Sequence, residues 1–290
     1  MKVLILGAGG LIGHKLFQIL GSELDTYAAL HNSSDHRCFD SSKVYSGIDV
    51  LQFSELKSLI EDNNINVILN CVGITKRKPE INNMELAIRV NSLFPHKLAV
   101  WAGSTGQRVI HFSTDCVFDG TIGNYSETSH TTGTDTYGKT KALGEINYPH
   151  SLTIRSSFIG RELKDRTELL EWCLSSKGQK IKGFDRAFYS GVSTICMARV
   201  VKQIITDHKD LSGLYQLATD QPISKFDLLS QMNKSFDLGI EIEKDSSFET
   251  MPTLDGTRLK DELSLSIPSW SEMMDELASE SLYGVTAQLS

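Results

Sequence analysis

The chain has 290 residues, 40% of them hydrophobic and 22% charged. That is ordinary globular usage, which excludes a disordered chain, a collagen-like repeat and a coiled coil. A net charge of −7, from 36 acidic against 29 basic residues, argues against nucleic acid or an anionic membrane as the main partner.

Val3-Leu4-Ile5-Leu6 is apolar at every position, as in a parallel strand buried on both faces. A glycine-rich turn follows, and the apolar spacing predicts a helix over residues 11–20. Residues 26–30 read as a second strand, a third ends near residues 48–50, and a helix covers 53–60. A fourth strand is predicted at 66–70, a long helix at 84–103 and a fifth strand at 108–112. A helix containing Tyr137 and a sixth strand at 152–155 complete the alternation. Strands separated by helices imply right-handed crossovers, hence an α/β, Rossmann-type fold with a doubly wound parallel sheet. Beyond residue 160 the alternation loosens into helix-like stretches at 194–205 and 224–232. This part reads as a small C-terminal substrate-binding lobe over the strand ends, where such sheets bind ligands. The expected division is a dinucleotide-binding domain at 1–160 and a lobe at 161–290, interleaved and with no linker at the boundary.

The five cysteines, Cys38, Cys71, Cys116, Cys173 and Cys196, are scattered, and none has metal-ligand spacing. No metal site is expected, and a reducing cytoplasm is the expected location. No apolar run approaches the ~20 residues of a membrane span. The strand pattern from Lys2 leaves no room for a cleaved leader.

Gly7, Gly10 and Gly13 punctuate the first turn. Gly7 permits the tight turn, Gly10 lets backbone approach a pyrophosphate, and Gly13 lets the helix pack on the sheet. The backbone around Leu11 and Ile12 then offers free N–H groups at a positive helix end. Position inside a strand–turn–helix unit makes this pattern a dinucleotide site. A carboxylate at the end of the second strand selects NADH by holding the ribose 2′-hydroxyl. Here that place holds His31-Asn32-Ser33-Ser34, with Arg37 close by. Asn32, Ser33 and Arg37 suit a 2′-phosphate, so NADPH is expected, with NADH possible. These residues also read as a solvated loop. Asp49, followed by Val50, stands where an acid accepts from the adenine amino group.

Tyr137 and Lys141 are four apart, on one face of a helix. A phenol near its reference pKa of ~10 is a poor relay at neutral pH. A neighbouring ammonium is expected to lower it and to reach the nicotinamide ribose. Thr114, after the fifth strand, offers a hydroxyl to a substrate carbonyl.

Together these residues resemble an extended short-chain dehydrogenase/reductase. Phe112-Ser113-Thr114-Asp115-Cys116-Val117-Phe118-Asp119-Gly120, with the later Thr136-Tyr137-Gly138-Lys139-Thr140-Lys141-Ala142-Leu143-Gly144-Glu145, is similar to the dTDP-4-dehydrorhamnose reductase branch. Residues 155–160 and Gly213-Leu214-Tyr215 match it more faintly. The resemblance implies NAD(P)H-dependent reduction of the C4 ketone of a nucleotide-activated 4-keto-6-deoxy sugar, for cell-surface polysaccharide biosynthesis. It implies catalytic Thr114, Tyr137 and Lys141, with Asn91 supporting the lysine. It also places Cys71, Val72 and Gly73 beside the cofactor ribose. Asp115, Cys116 and Phe158 would line the hexose pocket. Lys76 and Arg258 are candidates for the nucleotide diphosphate, or solvated charges.

Two departures stand out: Cys116 replaces an aromatic residue, and Phe158 replaces a frequent Trp. Both predict a roomier pocket, open to a substituent such as a 2-acetamido group. Cys116 also replaces the Glu that the 4,6-dehydratases need. A sugar-nucleotide epimerase, or a non-catalytic NADP-binding regulatory subunit, are the competing readings. A monomer or a homodimer is expected.

Overall fold

In a computed structural model the described residues are 1–31 and 39–280. The first half runs β1 (Lys2–Leu6), α1 (Gly13–Leu20), β2 (Asp25–Leu30), β3 (Val44–Ser46), α2 (Phe53–Asp62) and β4 (Val67–Asn70). It continues with α3 (Met84–Ala87), a π-helical turn (Ile88–Leu93), α4 (Phe94–Thr105), β5 (Arg108–Ser113), α5 (Thr136–Leu143) and β6 (Ser151–Arg155). The second half contains β7 (Phe158–Ile159), α6 (Leu169–Ser175), β8 (Lys180–Tyr189), β9 (Val192–Ser193), α7 (Thr194–Thr206) and β10 (Gly213–Gln216). β11 (Ile223–Ser224), α8 (Lys225–Ser235), β12 (Glu241–Thr250), α9 (Thr257–Leu263) and α10 (Trp270–Ser279) follow.

Seven parallel strands form one sheet in the order β10-β6-β5-β4-β1-β2-β3. The order reverses beside β1, so the glycine turn opens into the crevice at that switch point. The two-residue period of β1 divides the core. Val3 and Ile5 face the layer holding Leu16 and Leu20 of α1 and Val201 and Ile204 of α7. Leu4 and Leu6 face Leu56 and Ile60 of α2 and Leu98 and Ala102 of α4. All twelve of these side chains are at most 1% exposed. Burial of each such residue stabilises by ~1.5–3 kcal/mol before conformational entropy is counted.

The lobe differs from the helical reading. β8 and β12 are ten-residue strands paired in parallel, with β11 antiparallel on the other side of β8. Their sequences, KIKGFDRAFY and EIEKDSSFET, carry no clean alternation because much of this sheet faces solvent. The chain also crosses the expected boundary at residue 160. β10 returns to pair with β6, and α7 packs on the layer of α1. Among the described residues no helix is long and apolar enough to cross a membrane.

Candidate active site

The glycine turn has the geometry its spacing predicts. Gly7 has φ +74°, a left-handed conformation that strains residues with a side chain. A Cβ there would also sit 3.2 Å from the backbone of Cys71. A Cβ on Gly13 would meet the Ala8 Cα at 2.8 Å. The helix therefore approaches β1 more closely than any side chain allows. Gly10 N–H donates to the Gly7 carbonyl at 3.0 Å, closing the turn. Ile12 precedes α1 without a side-chain cap, and no acid occupies its first turn. The positive end of α1 is thus open to an anion, and the cradle fits a dinucleotide pyrophosphate. Cys71 joins this turn by donating its N–H to the Leu6 carbonyl at 3.0 Å. Asp49 accepts from Leu51 N–H at 2.9 Å, which orders the loop after β3. Val50 is half-buried and shares a small cleft with Arg89 and Leu93. Asn32, Ser33 and Arg37 lie outside the described residues.

The second constellation stands at the C-terminal ends of β4 and β5. Thr114 follows β5; its hydroxyl accepts from Cys116 N–H at 3.1 Å and donates to Asp115 at 3.1 Å. The Tyr137 phenol lies close enough to this side chain to be acted on by it, so the expected pair does meet. Asp135 caps α5 by accepting from Gly138 N–H at 2.7 Å. It also holds Lys76 at 2.7 Å, placing that ammonium 6.0 Å from the centre of the Tyr137 ring. Lys141 is 4% exposed and donates to the Phe112 carbonyl at 2.6 Å.

The electrostatics correct one expectation. Burial raises the Tyr137 phenol above its usual value, with Cys116 adding to the rise. The Lys141 amine is bonded to the strand backbone at Phe112 and does not offset that rise. Tyr137 therefore holds its proton at neutral pH and is an acid. Lys141 is itself lowered to about 8, by burial first, against the pull of Glu145 and Cys71. The Cys116 thiol is raised to about 12 by burial, which leaves it inert as a nucleophile.

Asn91 is fully buried, and its hydrogen bonds go to Ile74 and Thr140 and not to Lys141. Its oxygen accepts from Ile74 N–H at 2.8 Å, and its NH₂ donates to Ile74 O at 3.0 Å and Thr140 Oγ1 at 3.1 Å. It clamps the loop after β4, including Gly73, to the residue preceding Lys141. The expected continuous helix over 84–103 is broken here by the π-helical turn, which also aims Ser92 at the Thr140 carbonyl. One extra residue in the turn points both side chains at α5.

Phe158 stands at the start of β7, edge-on to Phe112 with ring centres 6.2 Å apart. Arg258 is engaged elsewhere: it donates to Leu214 O at 3.0 Å on the edge strand and lies over the Tyr215 ring. Arg77 and Lys78 pair with Glu168 and Asp165. Tyr189, at the end of β8, had no role in the sequence reading. Its buried hydroxyl makes no hydrogen bond, and burial first, then the nearby Asp115 and Cys116, raise its pKa. No local pattern marks it, since the lobe brings it in from more than 70 residues away.

The family profile described as RmlD substrate binding domain matches residues 1–281. A probable low-salt glycan biosynthesis reductase, Agl14, of Haloferax volcanii is 28% identical over 61% of this chain and 60% of its own length. The chain thus spans less than two thirds of that relative. Methionine adenosyltransferase 2 subunit beta of Xenopus laevis is 25% identical over 82% of this chain and 72% of its own. A dTDP-4-dehydrorhamnose reductase of Aggregatibacter actinomycetemcomitans is 27% identical over 78% and 76%. Among solved structures, dTDP-4-dehydrorhamnose reductase from Bacillus anthracis in complex with NADP superposes with a TM-score of 0.78. It shares 20% identity, covers 95% and 98% of the two chains, and has the same fold. On a match that runs from the first strand through the lobe, the chain belongs to the RmlD substrate binding domain family.

Proposed function

We propose that this chain reduces the C4 ketone of a nucleotide-activated 4-keto-6-deoxy sugar, with NADPH as the hydride donor. The observation that carries the reading is the meeting of Thr114 and Tyr137 at the strand ends, with Lys141 one turn beyond Tyr137. The Gly7–Gly13 cradle and the open end of α1 would hold NADPH, which would supply the hydride for the carbonyl carbon. Tyr137 gives its proton to the carbonyl oxygen, so the product is an alcohol and charge balances. Thr114 donates to the same oxygen and orients it. Lys141 holds the ribose side of the site, and Lys76 stands at the mouth as a fixed cation for a diphosphate or an acidic group. The relatives named as reductases support the reaction class.

The likeness to methionine adenosyltransferase 2 subunit beta brings a competing reading, a nucleotide-binding regulatory subunit. The experiment that separates them follows NADPH absorbance with dTDP-4-dehydrorhamnose and with its 2-acetamido counterpart. Stoichiometric NADPH loss with alcohol formation supports the reductase. An isomerised sugar without net NADPH loss indicates an epimerase, and no chemistry with tight cofactor binding indicates a regulatory subunit.

A further inference from the structure

Behind Lys141 runs a buried polar chain that the reaction scheme above does not use. Asn70 at the end of β4 and His111 in β5 are both 0% exposed. Asn70 Nδ2 lies 3.1 Å from His111 Nδ1, and His111 Nε2 lies 3.2 Å from Lys141 Nζ. The far end of the chain fixes its direction. Asn70 Oδ1 accepts from the backbone N–H of Val72 at 3.2 Å. A backbone N–H only donates, so the amide oxygen faces Val72 and the NH₂ faces His111. His111 Nδ1 is then the acceptor, and the neutral ring carries its proton on Nε2. The ring is neutral because burial, and next the charge of Lys141, hold its pKa well below the usual value. Nε2–H therefore points at Lys141. An ammonium has three donors and no lone pair, whereas a free amine accepts that hydrogen.

We propose that His111, locked by Asn70 as the Nε2–H tautomer, is a positioning residue that disfavours the ammonium form of Lys141 in the ligand-free protein. The proposal rests on the role given to Lys141 above. For an ammonium to bond well to His111, the ring must move its proton to Nδ1. Asn70 must then turn its amide, which sets NH₂ against the Val72 N–H. The charge on Lys141 is in this way coupled to the Cys71-Val72-Gly73 stretch at the cofactor side. Other groups act on the lysine from each neighbouring element. Glu145, just beyond α5, and Cys71, after β4, favour the charged form. The Phe112 carbonyl accepts from either form. Tyr137 lies one turn back on the same helix, and His96 of α4 acts on His111.

The test is nitrogen NMR of the full chain without ligand, in protein with labelled histidine and lysine. Long-range proton–nitrogen spectra read the His111 tautomer, and the Lys141 side chain is followed through pH 6 to 11. The expected result is a proton on Nε2 and a Lys141 midpoint near 8. Asn70→Asp keeps the acceptor for Val72 but accepts from Nδ1–H. It should move the proton to Nδ1 and raise the Lys141 midpoint by about one pH unit or more. A wild-type proton on Nδ1 overturns the proposal. So does a raised midpoint in Asn70→Asp without the tautomer switch, since that reflects only the added charge. If the variant does not fold, the wild-type tautomer decides alone. None of these readings depends on turnover, so failure here is distinct from failure of the reductase assignment.

Discussion

Tyr189 changes what the Cys116 substitution means. From sequence, a small residue in place of an aromatic one predicts spare room beside the hexose. The structure brings a phenol from β8 to the same neighbourhood, near Asp115 and Cys116, with its hydroxyl unsatisfied. A buried hydroxyl without a partner costs about 1–3 kcal/mol, a cost that a substrate hydroxyl can relieve. Two kinetic outcomes are expected. Tyr189→Phe should raise KM for the ketosugar by roughly 5–100-fold, the equivalent of one such bond, with cofactor affinity unchanged. Cys116→Tyr should overpack the site by ~1–3 kcal/mol, and Tyr189→Ala should restore part of the loss. An additive double variant would show that the two side chains do not share the space. A second residue-scale expectation concerns His14, which is fully buried and bonded to Gly10 O at 2.9 Å. Burial first, and Lys15 to a lesser extent, lower its pKa from 6.5 to about 4. The unfolded chain therefore binds more protons between those values. Stability is complete above pH 6.5 and falls as pH drops towards 4, by on the order of 3 kcal/mol. Denaturant titrations of wild type and His14→Gln should differ in slope over this window, and parallel curves would contradict the assignment.

At the scale of elements, the π-helical turn within 84–105 is the feature most tied to function. It turns Asn91 and Ser92 towards α5, where one hydrogen bond from each fixes the register of Thr140 and thus of Lys141, while two more from Asn91 hold Ile74. Asn91→Ala strands the Ile74 N–H and carbonyl. It should lower stability by about 2–4 kcal/mol and kcat more than cofactor affinity. Thermal unfolding together with NADPH titration checks this; a stable variant with normal kcat would show that the clamp is dispensable. Five of the six strands of the first half were legible as short apolar runs bounded by turn residues; the third ends at Ser46 and not near 48–50, where Asp49 already turns the chain towards α2 by accepting from Gln52 N–H. The glycine turn and the Tyr137–Lys141 spacing were legible because they are local. The break in the 84–105 helix was not, since its cause is Asn91 bonding to Ile74 and Thr140 across the fold. β8 and β12 were missed because polar residues dominate exposed strands. The His111 contact to Lys141 was missed because strand position alone does not say what a side chain meets.

At the scale of the molecule, the two regions are interleaved and not sequential. β10 extends the sheet beyond β6, and α7 covers α1 with Val201 and Ile204. A fragment of residues 1–160 would lack both, leaving the β6 edge unpaired and Leu16 and Leu20 open to water. We expect that fragment to be unfolded or aggregated, whereas the whole chain unfolds in one cooperative transition. Circular dichroism and amide-exchange spectra decide; a fragment with a native-like sheet would show that the cofactor domain ends near residue 160. The interleaving also explains how a lobe residue such as Tyr189 is held beside Asp115 and Cys116, just beyond β5. The lobe is anchored through β9 and α7, with Ser193 capping α7 at Cys196 N–H.

The central claim is that Tyr137 is the proton donor in a hydride transfer to a sugar ketone. The most direct measurement is NADPH consumption by Tyr137→Phe beside wild type, with NADPH affinity read by fluorescence. The predicted result is a turnover lower by ~10²–10⁴, with affinity within a few-fold of wild type. A Phe variant that reduces the ketosugar at the wild-type rate would contradict the account.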